Sequence, residues 1–400
     1  MVRRYSLSSL KYAGINARIK IVSSPMKALV YSPEAVAKAF LDLIEYETPQ
    51  DTEYSCLIKV LGCGVCGSDL LKLERALVKP NTVLGHEMVG EVFEINEALS
   101  KKYNLKKGDR IVSSHHVPCG KCNYCLNDKE SLCLQFKSTN FNPGAFCEYL
   151  ELSEDHLKHT VIKLNKETSN LSASFTEPVA CCIKAIKKSE LLSHKGSANV
   201  LILGLGSIGL IIGRLINYYR ERKDFLNSSV SELHTQQNCD KKLEINLYGC
   251  DPIETKRKLA EESGFDKVFN DIAFISDPER PDYIFLSAGA NICIDLAINY
   301  IRDGGTIIVF SSVPDNAKAF TNNDIYYKEL SIISSYSPNL SDLKESYQLI
   351  SENKIRVSDL ISHTANLSNL GETIMKARKD NGIKVYLDLG DRAVIRPPQP

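Results

Sequence analysis

Four cysteines fall within the stretch CGKCNYCLNDKESLC: Cys119, Cys122, Cys125 and Cys133. Three thiolates at two-residue gaps and a fourth further on can close a tetrahedron around one ion. Four thiolates with no open position make a structural zinc site. A redox dithiol needs two cysteines and would leave the other pair without a role. The bacterial ferredoxin run C-x2-C-x2-C-x3-C-P is a nearer competitor. Here, however, the last gap is seven residues, and Leu134 rather than proline follows Cys133. The cluster reads as scaffolding, so the chemistry has to lie elsewhere.

A looser set surrounds it. GCGVCGSD contributes Cys66, LGHEMVGE contributes His86 and Glu87, and FTEPVACC contributes Glu177. Taken singly, Cys66 is a small buried hydrophobe, His86 a hydrogen-bonded core histidine and Glu177 an acid at a helix start. Taken together, one Cys, one His and one carboxylate also make a three-ligand zinc site with an open fourth position, which a catalytic ion requires.

A second chemistry sits in LILGLGSIGLIIG, which holds G-x-G-x-x-G at Gly204, Gly206 and Gly209. The motif follows an apolar strand and opens a helix, the context that gives it meaning. Gly204 permits the tight turn, Gly206 lets a pyrophosphate approach the backbone, and Gly209 lets helix and strand pack closely. Ser207 and Ile208 begin the helix, whose free N–H groups favour phosphate. Asp251, in LYGCDP, stands at the end of the next strand, where an acid binds the ribose hydroxyls and repels a 2′-phosphate. NAD is favoured, and nearby Lys256 and Arg257 keep NADP as a second reading.

These residues need a frame. Short strands such as YSCLIKVLGCGV, MVGEVFEI and AFCEYLEL, separated by turn residues, make the first third a compact, mostly β unit. From about residue 179, strands and helices alternate, which implies a parallel sheet covered by helices on both faces. PIETKRKLAEESG reads as a helix ending at Gly264. The polar stretch 220–242 reads as an exposed insertion that lengthens the gap to Asp251. Residues 338–380 return to amphipathic helix before a last strand, IKVYLDL. The fold class is α/β. The expected division is an N-terminal extension (1–25), a β-rich domain (26–178), a dinucleotide-binding domain (179–337), a return to the first domain (338–390) and a tail (391–400).

Forty-nine basic residues balance forty-nine acidic ones in 400. A formal charge of +0 gives no electrostatic case for nucleic acid or an anionic membrane. The run SANVLILGLGSIGLIIG approaches membrane-span length, but its central glycines read as a strand-to-helix turn. Thirteen cysteines cannot all pair internally, so a reducing compartment, the cytoplasm, is expected. Residues 1–24 are basic and lack acids. They read as an irregular extension before MKALVYS, with organellar targeting left open.

GVCGSD, GHEMVGEV, CGKCNYCLNDKESLC, GAFCEY, EPVACC, GLGSIG and GGTIIVF occur in the order found in the zinc-dependent medium-chain alcohol dehydrogenases. The chain resembles their polyol (sorbitol or iditol) and threonine dehydrogenase branch from about Met26 to Leu389. The resemblance implies a GroES-like, mostly β catalytic domain in two chain segments around a doubly wound Rossmann domain. It implies two zinc ions per chain and NAD. Cys66, His86 and Glu177 would hold the catalytic zinc, with Glu87 a neighbour able to exchange into the ligand set. The zinc would act as a Lewis acid on a secondary alcohol while hydride passes to the nicotinamide. Many relatives carry a relay histidine five residues after the catalytic cysteine. Here Leu71 occupies that place and Lys72 follows, so Ser68 is the first candidate for the proton relay. EPVACC matches the polyol enzymes better than the threonine enzymes, whose segment begins with Asp, whereas His116 has a threonine-enzyme counterpart. An L-threonine 3-dehydrogenase-like activity is therefore the alternative, and a non-catalytic NAD sensor a more distant one. A homo-oligomer, tetramer ahead of dimer, is expected through GGTIIVF and LSIISSY.

Overall fold

The computed structural model describes residues 25–50, 54–222, 243–289, 291–311 and 321–390. Residues 1–24, most of the 220–242 stretch and the tail from residue 391 lie outside the described residues. Seven described strands precede the alternating region: β1 (Met26–Tyr31), β2 (Leu41–Tyr46), β3 (Ser55–Gly64), β4 (Glu87–Ile95), β5 (Arg110–Val112), β6 (Tyr149–Ser153) and β7 (Ile162–Lys163). Six belong to the alternating region: β8 (Ser197–Leu203), β9 (Glu244–Cys250), β10 (Lys267–Phe269), β11 (Tyr283–Leu286), β12 (Thr306–Val309) and β13 (Ser331–Ser334). Two follow, β14 (Ile361–Ala365) and β15 (Lys384–Asp388).

The first sheet runs β14-β15-β3-β4-β5-β7, with β6 also paired to β3. Its pairs are antiparallel except β14 with β15. Nearly every residue of β3 is buried, as a central strand covered on both faces must be. The register places Gly64 opposite both Glu87 and Tyr386. Three distant segments therefore meet where β3 ends and β4 and β15 begin. Glycine is required there: a Cβ on Gly64 would lie 2.0 Å from Glu87 Oε2 and 3.0 Å from Lys384 Cε. Phe146, Tyr149 and Met88 fill the core of this half.

The second sheet is wholly parallel, in the order β10-β9-β8-β11-β12-β13. Counted from β8 this is 3-2-1-4-5-6, the doubly wound order. Strand order reverses between β8 and β11, which opens a crevice outside the carboxyl ends of those strands. Residues Ala198 to Leu203 are all buried, which explains the apolar run Val200–Leu203. The glycine-turn helix, Ser207–Glu221, buries Leu210, Ile211, Leu215 and Ile216 against this sheet. Each such side chain contributes about 1.5–3 kcal/mol. The helix Glu254–Glu262 ends before Gly264, whose φ of +84° suits a helix-terminating glycine.

One helix, Thr176–Lys188, serves both halves. It carries Glu177 in its first turn and buries Val179, Cys182, Ile183 and Ile186 in the core of the parallel-sheet half. It packs against the helix Leu340–Ser351. The texture change read at residue 179 thus falls inside a continuous helix. No described helix is long and apolar enough to cross a membrane.

Candidate active site and metal centres

Cys66 caps the helix Gly67–Glu74, and its sulfur accepts the Ser68 N–H at 3.5 Å. Ser68 Oγ lies 3.3 Å from the same sulfur and is exposed. Asp69, buried on the other side of the helix, places Oδ1 3.2 Å from His86 Nδ1. That contact puts the ring proton on Nδ1 and leaves Nε2 for an ion. Burial opposes a charge on His86. Asp69 and Cys66 overcome that opposition and hold its pKa well above the ordinary histidine value.

The ligand atoms of Cys66, His86 and Glu87 lie within 4.8 Å of one another. Soft sulfur, imidazole and carboxylate form a donor set suited to zinc, and the three leave a fourth position for substrate. Glu87 is tethered as well. Its Oε1 accepts a hydrogen bond from Lys384 Nζ at 2.8 Å, and Oε2 lies 2.6 Å from that nitrogen as an ion pair outside hydrogen-bond geometry.

Glu177 stands outside this close group. It faces the same small crevice as Glu87 and accepts the Cys181 S–H on Oε1 at 3.3 Å. Burial pushes its pKa up. Of the two glutamates, the structure brings Glu87 and not Glu177 to Cys66 and His86. Glu87 follows His86 directly at the start of β4, so the β3–β4 register carries it in with the histidine. Glu177 arrives on another element and is held by its own helix.

Two more imidazoles adjoin the site. His115 lies 4.7 Å from His86 and 3.9 Å from His116, ring centre to ring centre. Its Nδ1 is buried without a hydrogen-bond partner, and burial holds its pKa well below the ordinary value. His116 Nδ1 is 2.5 Å from the Thr139 carbonyl. A carbonyl only accepts, so Nδ1 carries the proton and Nε2 is left as an acceptor. Burial draws the His116 pKa down to about 4. Leu71 and Lys72 lie on the helix that begins at Cys66.

Asp69, Lys384 and His115 were not singled out from the sequence. Asp69 ends the motif GVCGSD, and His115 precedes His116, so both had a signal. Lys384 was concealed: the alternation in IKVYLDL puts Lys384 and Tyr386 on a face that reads as solvent, yet both are buried.

In the four-cysteine lobe all sulfurs also lie within 4.8 Å of one another. Cys122 and Cys125 are 3.6 Å apart, Cys119 and Cys125 4.0 Å. Zinc–sulfur bonds of about 2.3 Å give a tetrahedron edges of about 3.8 Å, so the lobe fits one ion. Leu126 and Leu134 are 72% and 81% exposed, so little apolar packing holds the lobe together.

At the glycine turn, Gly204 has φ +100°, and a Cβ there would meet the Ala288 backbone nitrogen at 2.9 Å. A Cβ on Gly209 would lie 2.0 Å from the Gly204 carbonyl oxygen, while one on Gly206 would meet nothing within 4 Å. The backbone is thus open at Gly206, just before Ser207 and Ile208 start the helix, as an approaching pyrophosphate requires. Asp251 Oδ2 accepts the Leu205 N–H and Oδ1 the Ile253 N–H, each at 2.9 Å. Each oxygen retains a lone pair. Arg257 donates to the backbone carbonyls of Asp251 and Pro252 at 2.8 Å.

Residues 52–164 match the family model of the alcohol dehydrogenase GroES-like domain, and residues 239–352 that of the zinc-binding dehydrogenases. The chain is 26% identical over 373 residues to a sorbitol dehydrogenase of Halalkalibacterium halodurans, covering 90% of this chain and 99% of that one. It is 28% identical over 356 residues to D-arabitol-phosphate dehydrogenase of Enterococcus avium, covering 88% and 93%. Acetophenone reductase from Geotrichum candidum, solved with NAD, shares the fold at a TM-score of 0.73 and 22% identity, covering 93% of this chain and 99% of that one. An oxidoreductase built from a GroES-like domain and a Rossmann domain is the class that fold and site define. The chain belongs to the zinc-dependent medium-chain alcohol dehydrogenase family, whose cofactors are zinc and a nicotinamide dinucleotide.

Proposed function

We propose that this enzyme oxidises a secondary alcohol of the polyol type to the ketone, with NAD as acceptor. The observation that carries the reading is the convergence of Cys66, His86 and Glu87. Relatives named for sorbitol and D-arabitol phosphate support the polyol class. Bound zinc supplies Lewis acidity at the hydroxyl oxygen, and bound NAD accepts the hydride.

The chain's own residues do the rest. Cys66, His86 and Glu87 hold the catalytic ion, and Asp69 fixes the His86 tautomer. Glu177, whose pKa burial pushes up, lines the crevice beside Glu87. Gly204, Gly206, Ser207, Ile208 and Gly209 cradle the pyrophosphate, and Asp251 takes the ribose hydroxyls, favouring NAD over NADP. Ser68 receives the substrate proton and releases it to solvent. Its exposure makes the missing relay at Leu71 tolerable. Glu87 is a poor competitor for that proton because its Oε1 already accepts from Lys384 and its charge is paired with that ammonium. The four-cysteine lobe takes a second, structural zinc.

The same reading places the enzyme in a reducing compartment, the cytoplasm, in keeping with the free state of every described cysteine. It also makes it a homo-oligomer joined through the Rossmann half, where β13 is the sheet's edge strand. A panel of polyols, amino alcohols and simple alcohols, followed by NADH appearance, tests the activity. Turnover confined to β-hydroxy amino acids would replace the polyol reading, and no turnover of any alcohol would reject it.

A further inference from the structure

Seven residues separate Cys125 from Cys133, against two in each earlier gap of the tetrad. This longer loop is closed at both ends by sulfurs of the metal lobe. Between them it reaches outward to two helices. Glu130 Oε2 accepts the Leu340 N–H at 2.8 Å, and the Asp128 carbonyl accepts from Asn339 Nδ2 at 3.2 Å. Buried Ser131 accepts from Lys184 Nζ at 3.4 Å. Leu340 opens the helix Leu340–Ser351, and Lys184 belongs to the helix Thr176–Lys188. The first N–H groups of a helix have no partner within it. Asp342 takes the N–H of Asn339 at 3.2 Å, and the loop takes the next one through Glu130.

The same two helices wall the crevice that holds both glutamates. Leu343, one turn beyond Leu340, lines it together with Glu87, Thr176 and Glu177. Ser346, a further turn on and fully buried, donates to the Thr176 carbonyl at 2.6 Å. Thr176 immediately precedes Glu177. Lys187, at the other end of that helix, pairs with Asp342 at 2.8 Å and with Glu345 at 2.7 Å. Residues 340, 343 and 346 follow one another at three-residue steps, which makes them neighbours along one side of the helix. An unbroken series of contacts therefore runs from the metal-closed loop, along a rigid helix, to the residue beside Glu177.

We propose that Glu130 is a positioning residue for the reaction: through it, the loop Cys125–Cys133 sets the crevice where Glu87 and Glu177 stand. The four-cysteine lobe then acts on the rate at the catalytic centre and not on stability alone. This rests on the reading of Cys66, His86 and Glu87 as that centre. Glu130 fixes the start of the helix Leu340–Ser351, Leu343 forms the crevice wall, and Ser346 holds the turn that presents Glu177. A misplacement of about 1 Å caused far from the chemistry can cost about 10²-fold in rate.

The test uses the zinc-loaded holoenzyme as wild type, Glu130→Ala, Glu130→Gln, Ser346→Ala and the double variant Glu130→Ala/Ser346→Ala. Glu130→Ala is expected to lower kcat by about tenfold or more, while NADH affinity, set at the glycine turn, stays at wild type. Glu130→Gln keeps an acceptor oxygen for the Leu340 N–H and is expected to retain most of the rate. Leu340 and Ser346 lie about 9 Å apart along the helix, and changes that far apart with no shared partner ordinarily add. If both act along one line, the double variant is no slower than the slower single variant. A wild-type kcat in Glu130→Ala, no recovery in Glu130→Gln, or full additivity overturns the proposal. If Glu130→Ala does not fold, Glu130→Asp, which withdraws the carboxylate by one methylene, takes its place. Amide hydrogen exchange on the same proteins needs no turnover. In Glu130→Ala it is expected to quicken at residues 340–346 and at 176–180, and to stay at wild type at 204–210. Faster exchange confined to 340–346 would make Glu130 a helix cap only and overturn the proposal. If no alcohol is turned over but the faster exchange spreads to 176–180, the coupling of loop to crevice stands and the polyol reading falls.

Discussion

Cys66 and Cys125 are both partly exposed, but their loss should register in different measurements. Cys66 belongs to an open three-ligand group, so Cys66→Ser is expected to abolish turnover while leaving the melting temperature near wild type. Cys125 closes a tetrahedron in a lobe with exposed leucines. Cys125→Ser is expected to lower melting temperature and yield, since structural zinc binding is worth about 10–16 kcal/mol in small modules. An unchanged melting temperature for Cys125→Ser would remove the structural role. Lys384 permits a sharper statement. Lys384→Met leaves the Glu87 carboxylate buried without its counter-ion, which costs about 3–5 kcal/mol. Denaturant titration of metal-free protein should show that loss, and a midpoint equal to wild type would mean the pair contributes nothing.

At the scale of the element, the glycine turn separates packing from cofactor binding within a few residues. Gly204→Ala forces a side chain into a φ of +100° and against Ala288, so both stability and NADH affinity should fall. Gly206→Ala meets open space and should leave the melting temperature alone. Its cost should appear only as weaker NADH binding, read by fluorescence titration. If Gly206→Ala binds NADH like wild type, the pyrophosphate does not approach there. These roles were legible in the sequence because G-x-G-x-x-G is a local motif. Which of Glu87 and Glu177 lies beside Cys66 and His86 was not. Both are acids near the right motifs, and only the β3–β4 register decides which lies beside Cys66 and His86.

Polar contacts tie together segments that lie far apart in the chain. Arg214, buried in the glycine-turn helix, makes two hydrogen bonds to Asp359, at 2.7 and 2.8 Å. Burial opposes the Asp359 charge, but Arg214 overcomes this and holds its pKa below the usual value. A depressed carboxylate contributes stability above its unfolded pKa of about 3.9 and loses it as pH falls through the folded value. Acid unfolding of Asp359→Asn should lack that component, and a denaturation profile parallel to wild type through this range would disprove the linkage. The four-cysteine lobe also reaches the other half. Glu130 accepts the Leu340 N–H at 2.8 Å, and buried Lys184 donates to Ser131 at 3.4 Å and to the Tyr336 carbonyl at 3.2 Å. The lobe is therefore a bracket between halves as well as a metal clip. For the assembly, light scattering is expected to give a multiple of the 44.6 kDa chain, and a value near one chain would reject the oligomer.

By itself the sequence determined whatever rests on short-range spacing. The cysteine tetrad, the strand–turn–helix of the dinucleotide site, Asp251 at the end of the next strand and the doubly wound half all follow from periods and gaps within a few dozen residues. Such patterns report local geometry directly. Tertiary structure alone decided which groups share a site when they are far apart in the chain. It brought Lys384 to Glu87 across β3, held Glu177 on its own helix and set His115 beside His86. The reason is that a strand's alternation says which side chains share a face but not what that face will meet. A charge placed on a face that another segment covers needs a partner, as Lys384 finds Glu87, and no local pattern records which group that will be.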